Sequence, residues 1–142
     1  LLHDIGMISV SEGIINKDAA LSLRDYQIIK NHPLAGAEML AEFAIFEDVL
    51  PIIKQHHERP DGSGYPYGLE NRNICIEAKI IAVAEAFDCM TAVDSYKRPM
   101  EFEEALDHIK KAAGSQFDHT VVDAFIGCAR NIKTETAGLK NA

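Results

Sequence analysis

The stretch EDVLPIIKQHHERPDGSGYP, Glu47–Pro66, joins two opposed patterns. In its first half Val49, Ile52, Ile53 and His56 fall at i, i+3, i+4 and i+7, the spacing of one helix face. Pro51 belongs to the first turn of that helix, where its missing N–H is not needed. The second half is punctuated by Pro60, Gly62, Gly64 and Pro66, residues that fix turns. A helix that delivers His56 and His57 into a stiffened loop is a poor way to build a core. It is a reasonable way to build a site.

The helical pattern extends in both directions. Ser22 followed by Asp25 three residues on is a capping-box signal, opening a helix with Leu23, Tyr26 and Ile29 on one face. Pro33 starts another, with Leu34, Ala37 and Leu40 at helical spacing. Ile80, Val83, Ala84 and Phe87 mark an apolar face from Ile76 to about Val93. Phe102, Leu106 and Ile109 mark a helix that stops near Gly114. Asp118 is placed to cap the last, with Val121, Val122, Phe125 and Ile126 inward. No window alternates with period two; Met7–Val10 and Asn73–Ile76 are the best candidates for extended structure. The pattern predicts an all-α fold, a helical bundle with two long irregular loops at about residues 6–21 and 58–74. Loops of that length in a compact domain are functional or disordered. One domain is expected over 1–131, followed by a polar tail over 132–142.

Composition bounds the function. The chain has 142 residues, 47% hydrophobic and 25% charged, which suits one domain with a full-sized core. No apolar run approaches the roughly 20 residues that span a bilayer. The opening LLHDIG lacks the basic and apolar regions of a signal peptide and reads like the middle of a helix, as in a chain cut from something longer. Cys75, Cys89 and Cys128 are widely spaced without a C-x-x-C pattern, which reads as reduced structural thiols in a cytosolic protein. A net charge of −8 argues against a nucleic-acid surface. An anionic ligand would need that field reversed locally, as bound metal ions can do.

Four histidines occupy suggestive places: His3 beside Asp4, His32 before Pro33, and the pair His56–His57. Another helix carries Glu85 and Asp88, three apart and so neighbours on its surface. Taken singly, His56 reads as a hydrogen-bonded core histidine and His32 as a capping or surface residue. Together, at helix ends able to converge, they read as metal ligands. Imidazole with carboxylate suits iron, manganese, zinc or nickel rather than calcium or magnesium alone. A carboxylate shared by two ions, the role open to Asp4, holds them about 3.5–4 Å apart, an arrangement suited to phosphoester hydrolysis. His108 and His119 fall off the apolar faces and read as solvated.

LLHDIG, NHP at His32 and above all HHERPDGSGYP, with KIIAVAEAFDCMTA, FEEAL and AAGSQFD in order behind them, resemble the HD-GYP domains, a bacterial branch of the HD metal-dependent phosphohydrolases. The resemblance covers Leu1 to about Ala129. It implies an all-α fold, a centre of two or three divalent metal ions (iron or manganese), and hydrolysis of cyclic di-GMP to pGpG or GMP in second-messenger signalling. Carried over by position, the metal ligands are His3, Asp4, His32, His56, His57 and Glu85, with Asp4 and His3 the catalytic pair. Lys97, Tyr65 and Gly64 would lie on the substrate side; the rival reading is that Asp61 and the glycines only shape the loop and dock a partner. Glu85 stands where the family has Asp, Met7 where it has the phosphate-contacting lysine of H-D-x-G-K, and Asp94 where it has an arginine. These departures leave open a degenerate module that binds nucleotide or a partner without turnover. The family's further histidine, and glutamate in trinuclear members, come from a helix before Leu1. The resemblance also implies a cytoplasmic location, an upstream sensory or receiver domain, and a homodimer or GGDEF-domain partner, with no nucleic-acid or membrane contact.

Overall fold

The computed structural model describes residues 2–93 and 98–139, with side chains to residue 133 in the last helix. The regular elements are helices α1 (Glu12–Ile15), α2 (Leu23–Lys30), α3 (His32–Leu40), α4 (Leu50–Gln55), α5 (Ile76–Thr91), α6 (Phe102–Lys111) and α7 (His119–Leu139). Short 3-10 turns lie at Ile5–Ser9, Ala44–Val49 and Asn71–Asn73. Among the described residues there is no strand, only isolated bridges pairing Asp61 with Glu70 and Ala113 with Phe117. The all-α expectation holds. Two compact units divide the chain, Leu1–Ala78 and Lys79–Ala142.

In the first unit, the predicted capping box opens α2: Ser22 Oγ accepts the Asp25 N–H at 3.2 Å and Asp25 Oδ2 accepts the Ser22 N–H at 2.9 Å. Pro33 sits in the first turn of α3, as Pro51 does in α4. Helix α3 packs against both α4 and the turn Ile5–Ser9. Ala37, Leu40 and Ile53 are buried there, with Leu2, Ile5, Phe46, Val49 and Leu50 around them. The approach of Ile5–Ser9 to α3 depends on two facing glycines. A Cβ on Gly6 would fall 1.9 Å from the His32 carbonyl oxygen, and one on Gly36 would fall 3.0 Å from the Gly6 nitrogen. This crossing sets the His3–Asp4 segment beside the start of α3, where His32 lies.

Three expectations need correction. In Met7–Val10 only Val10 is extended: Met7 and Val10 donate N–H to Asp4 and Met7 carbonyls, and Ser9 Oγ donates to the Gly6 carbonyl, closing a 3-10 turn over Ile5–Ser9. At Asn73–Ile76 only the Ile74 backbone is extended where its dihedrals are given, between a 3-10 turn and α5. The apolar face read on α2 is not buried; Leu23 is 87% exposed. The two long loops hold short elements of their own, α1 in the first and Asn71–Asn73 in the second.

In the second unit, Val83, Ile109, Phe117, Val121 and Val122 form the core, with Phe87, Phe125 and Ile126 packed against it. Phe87 meets Phe102 and Phe125 edge-on at 5.5 and 5.3 Å, a favoured aromatic geometry. Asp118 caps α7 as predicted, its Oδ1 accepting the Thr120 and Val121 N–H groups, while Oδ2 meets Lys79 Nζ at 3.3 Å. Past the end of α6, Gly114 takes φ +83°. Helix α7 continues through the stretch read as a polar tail, to Leu139. His108 and His119 are exposed, and Cys75, Cys89 and Cys128 are free thiols.

Candidate metal centre

Three turns of the first unit converge. Asp4 precedes the turn Ile5–Ser9, His32 opens α3, and His56 and His57 follow α4. His56 is fully buried and His32 is 2% exposed, whereas the Asp4 side chain keeps 46% of its surface. Burial excludes a surface role for His32, while its ring bonds the Ile29 carbonyl in the last turn of α2, a capping contact.

The hydrogen bonding fixes both buried rings. His32 Nδ1 lies 2.7 Å from the Ile29 carbonyl oxygen and His56 Nδ1 lies 2.7 Å from that of Ile53. A carbonyl only accepts, so each Nδ1 carries the proton, and a neutral ring then presents a bare lone pair at Nε2. Those two Nε2 atoms stand 3.2 Å apart, at 3.1 Å (His32) and 3.4 Å (His56) from Asp4 Oδ1. Three acceptors therefore face one another. Only an extra proton on a ring or a cation among them resolves the contact. The triangle's edges match the ligand spacing around a first-row ion bonded at about 2.1 Å. One donor atom each from Asp4, His32, His56 and His57 lie within 4.8 Å of one another. The residues fit a metal ion. On the other side, Asp4 Oδ2 lies 3.1 Å from His3 Nε2, so the carboxylate addresses two neighbourhoods at once.

Electrostatics describe the first of those two resolutions, an extra proton. With His32, and next His56, protonated at Nε2 and donating to it, the Asp4 carboxyl is held far below the usual carboxylate range. Burial, followed by the charges of His56 and His32, pulls His57 down to about 3. His57 is therefore neutral near pH 7 and offers a lone pair.

The loop is fastened to this centre by a residue the sequence reading missed. Glu58 is 3% exposed, and its two carboxylate oxygens accept the N–H groups of Tyr67 and Leu69 at 2.7 and 2.8 Å. The Tyr65 N–H donates to the His57 carbonyl at 3.2 Å, and its ring stacks on His57 at 4.8 Å and 26°. The glycine at 64 has a packing reason: a Cβ there would fall 2.3 Å from the Arg59 nitrogen. Asp61 Oδ1 accepts from the Ser63 N–H and hydroxyl, a local turn contact that accounts for this residue without a ligand. No sequence signal marks Glu58, because a glutamate after two histidines reads as a solvated loop charge. Glu85 lies half-buried on α5 in the second unit, and its part in metal binding is an expectation of the resemblance. Lys97 and Asp94 lie outside the described residues.

The HD domain family model matches residues 1–121. The chain belongs to the HD domain family, and the HD-GYP resemblance places it in that branch. It is 38% identical over 133 residues to a cyclic di-GMP phosphodiesterase of Thermotoga maritima, covering 92% of this chain and 36% of the relative. The cyclic di-GMP phosphodiesterase response regulator RpfG of Xanthomonas campestris pv. campestris is 35% identical over 127 residues, 88% of this chain and 34% of its own length. The chain thus spans about a third of these relatives. A crystal structure of a cyclic GMP-AMP-specific phosphodiesterase from Vibrio cholerae shares the fold, with TM-score 0.64 at 22% identity over 92% of this chain and 36% of that one. No helix among the described residues is long and apolar enough to cross a membrane.

Proposed function

We propose that this chain is the metal-dependent phosphodiesterase domain of a longer bacterial signalling protein, hydrolysing cyclic di-GMP to pGpG or GMP in the cytoplasm. The observation that carries the reading is the convergence of the His32 and His56 lone pairs on Asp4 Oδ1. Asp4, His32, His56 and His57 would hold one ion, with His3 and the second Asp4 oxygen turned toward another, iron or manganese in each case. Bound ions would supply the nucleophile and neutralise charge building on the phosphoryl oxygens. The chain's own contribution is orientation. Main-chain carbonyls fix the two buried rings, Asp4 stays ionised between its histidines, and Tyr65 covers one face of His57. The relatives' names support the substrate, and that of the response regulator supports an upstream receiver domain. A homodimer or a GGDEF-domain partner would couple such an output.

The test is anaerobic reconstitution with iron or manganese, followed by chromatography of products from cyclic di-GMP and 3′,3′-cyclic GMP-AMP. Turnover of cyclic di-GMP is expected; no turnover with any metal overturns the proposal. Met7, at the position where the resemblance expects a lysine, favours a second reading, a nucleotide-binding module without turnover. Calorimetry showing tight binding with no product would establish it.

A further inference from the structure

Lys30 ends α2 just ahead of the junction that carries His32. Its Nζ stands 4.9 Å from the centroid of the Tyr26 ring, one turn back on the same helix, and 5.2 Å from that of Tyr65. Tyr65 is the ring that stacks on His57. A lysine in a last helical turn is accounted for by the helix dipole. A ring brought beneath it from the loop after His57 is not.

The two rings hold the ammonium without neutralising it. A cation over an aromatic face keeps its charge and its N–H donors, whereas a carboxylate partner would cancel both. Among the described residues no ion pair involves Lys30. The chain as a whole carries −8, so a positive charge fixed beside the metal centre is not a matter of general surface composition. Met7, where the resemblance expects a lysine, offers a thioether and no charge.

We infer that Lys30 binds a phosphate oxygen of an anionic nucleotide seated over Tyr65 beside His57. This rests on the proposed function and adds to it a contact that the resemblance does not assign. The rings pre-position the lysine, so little side-chain freedom remains to be lost when the anion arrives. The surviving N–H donors supply a charge-assisted hydrogen bond.

The experiment compares the metal-loaded protein with Lys30→Met, which keeps the stem against both rings, and Lys30→Arg, which keeps the charge. For Lys30→Met, KM for cyclic di-GMP should rise about ten- to a hundredfold. The salt dependence of kcat/KM should flatten, with kcat, melting temperature and metal content unchanged; Lys30→Arg should recover most of the loss. The dissociation constant of a slowly hydrolysed phosphorothioate analogue of cyclic di-GMP, measured by calorimetry, should shift by the same factor. That second readout separates the two claims. If the unaltered protein binds the analogue but turns over no cyclic di-GMP with any metal, the phosphodiesterase reading fails and the Lys30 contact is still decided by the shift. Equal dissociation constants for the unaltered protein and Lys30→Met overturn the inference. So does a loss that comes with a lowered melting temperature or lost metal, which would make Lys30 a staple for the loop.

Discussion

Replacing Gly6 by alanine tests how the centre is assembled, because the perturbation is purely steric. Gly6 does not adopt a positive φ, so no backbone strain is involved. Its added Cβ would fall 1.9 Å from the His32 carbonyl oxygen and 2.5 Å from the Gly36 nitrogen. Both are backbone atoms that no rotamer change can move aside. Normal contact requires the turn Ile5–Ser9 and α3 to separate by about 1 Å or more. Overpacking of this kind costs roughly 1–3 kcal/mol, and a backbone clash belongs at the upper end. For a chain of this size that corresponds to a fall of about 10 °C in Tm. The larger effect falls on metal. Ligand distances tolerate only about 0.2 Å, and the separation moves Asp4 away from His32, whose Nε2 now stands 3.1 Å from Oδ1. Gly6→Ala should therefore lose metal even at temperatures where it stays folded. Differential scanning fluorimetry and elemental analysis measure both effects. Gly13→Ala is the control, since its Cβ would meet nothing within 4 Å; it should be neutral or slightly stabilising. If Gly6→Ala keeps the unaltered Tm and metal content, the account of the crossing is wrong.

Glu58→Gln should leave one loop N–H facing an amide group instead of a carboxylate oxygen, costing about 1–3 kcal/mol. Hydrogen exchange at the Tyr67 and Leu69 amides should accelerate, and unchanged protection would remove Glu58 as the clasp. Stability of the metal-free protein should depend on pH through His57, whose folded value of about 3 lies below its ordinary 6.5. The unfolded chain takes up a proton below about 6.5 that the folded chain refuses, so stability is full above that pH and falls as pH drops toward 3; urea midpoints level between pH 8 and 4.5 would contradict this. Met7→Lys should raise cyclic di-GMP affinity or turnover about ten- to a hundredfold at constant metal content. No change in a metal-loaded protein would favour the non-catalytic module.

What the sequence made legible was local. Ser22 with Asp25, Pro33, Pro51 and Asp118 act within a turn or two of their own positions, and each appears where the pattern placed it. The histidines could be picked out because adjacent imidazoles beside a glycine-rich loop have few structural uses. The Gly6–Gly36 crossing was not legible, since it joins segments whose proximity depends on tertiary packing. Met7–Val10 misled because Ile8 and Val10 favour extended structure in isolation. In the fold Val10 is buried and Ile8 is 78% exposed, as the 3-10 turn directs them. Glu58 was invisible for a related reason: its partners, the Tyr67 and Leu69 amides, reach it only once the loop has closed.

The central claim is that the lone pairs meeting at Asp4 Oδ1 are a metal centre. Elemental analysis of protein purified without chelators, compared with Asp4→Ala and His108→Ala, tests it most directly. The unaltered protein and His108→Ala should retain divalent metal, iron or manganese, at one equivalent or more. Asp4→Ala should lose most of it, because no neighbouring group can replace a carboxylate oxygen between the histidines. Absence of metal from the unaltered protein after anaerobic reconstitution, or equal metal in all three, would contradict the account.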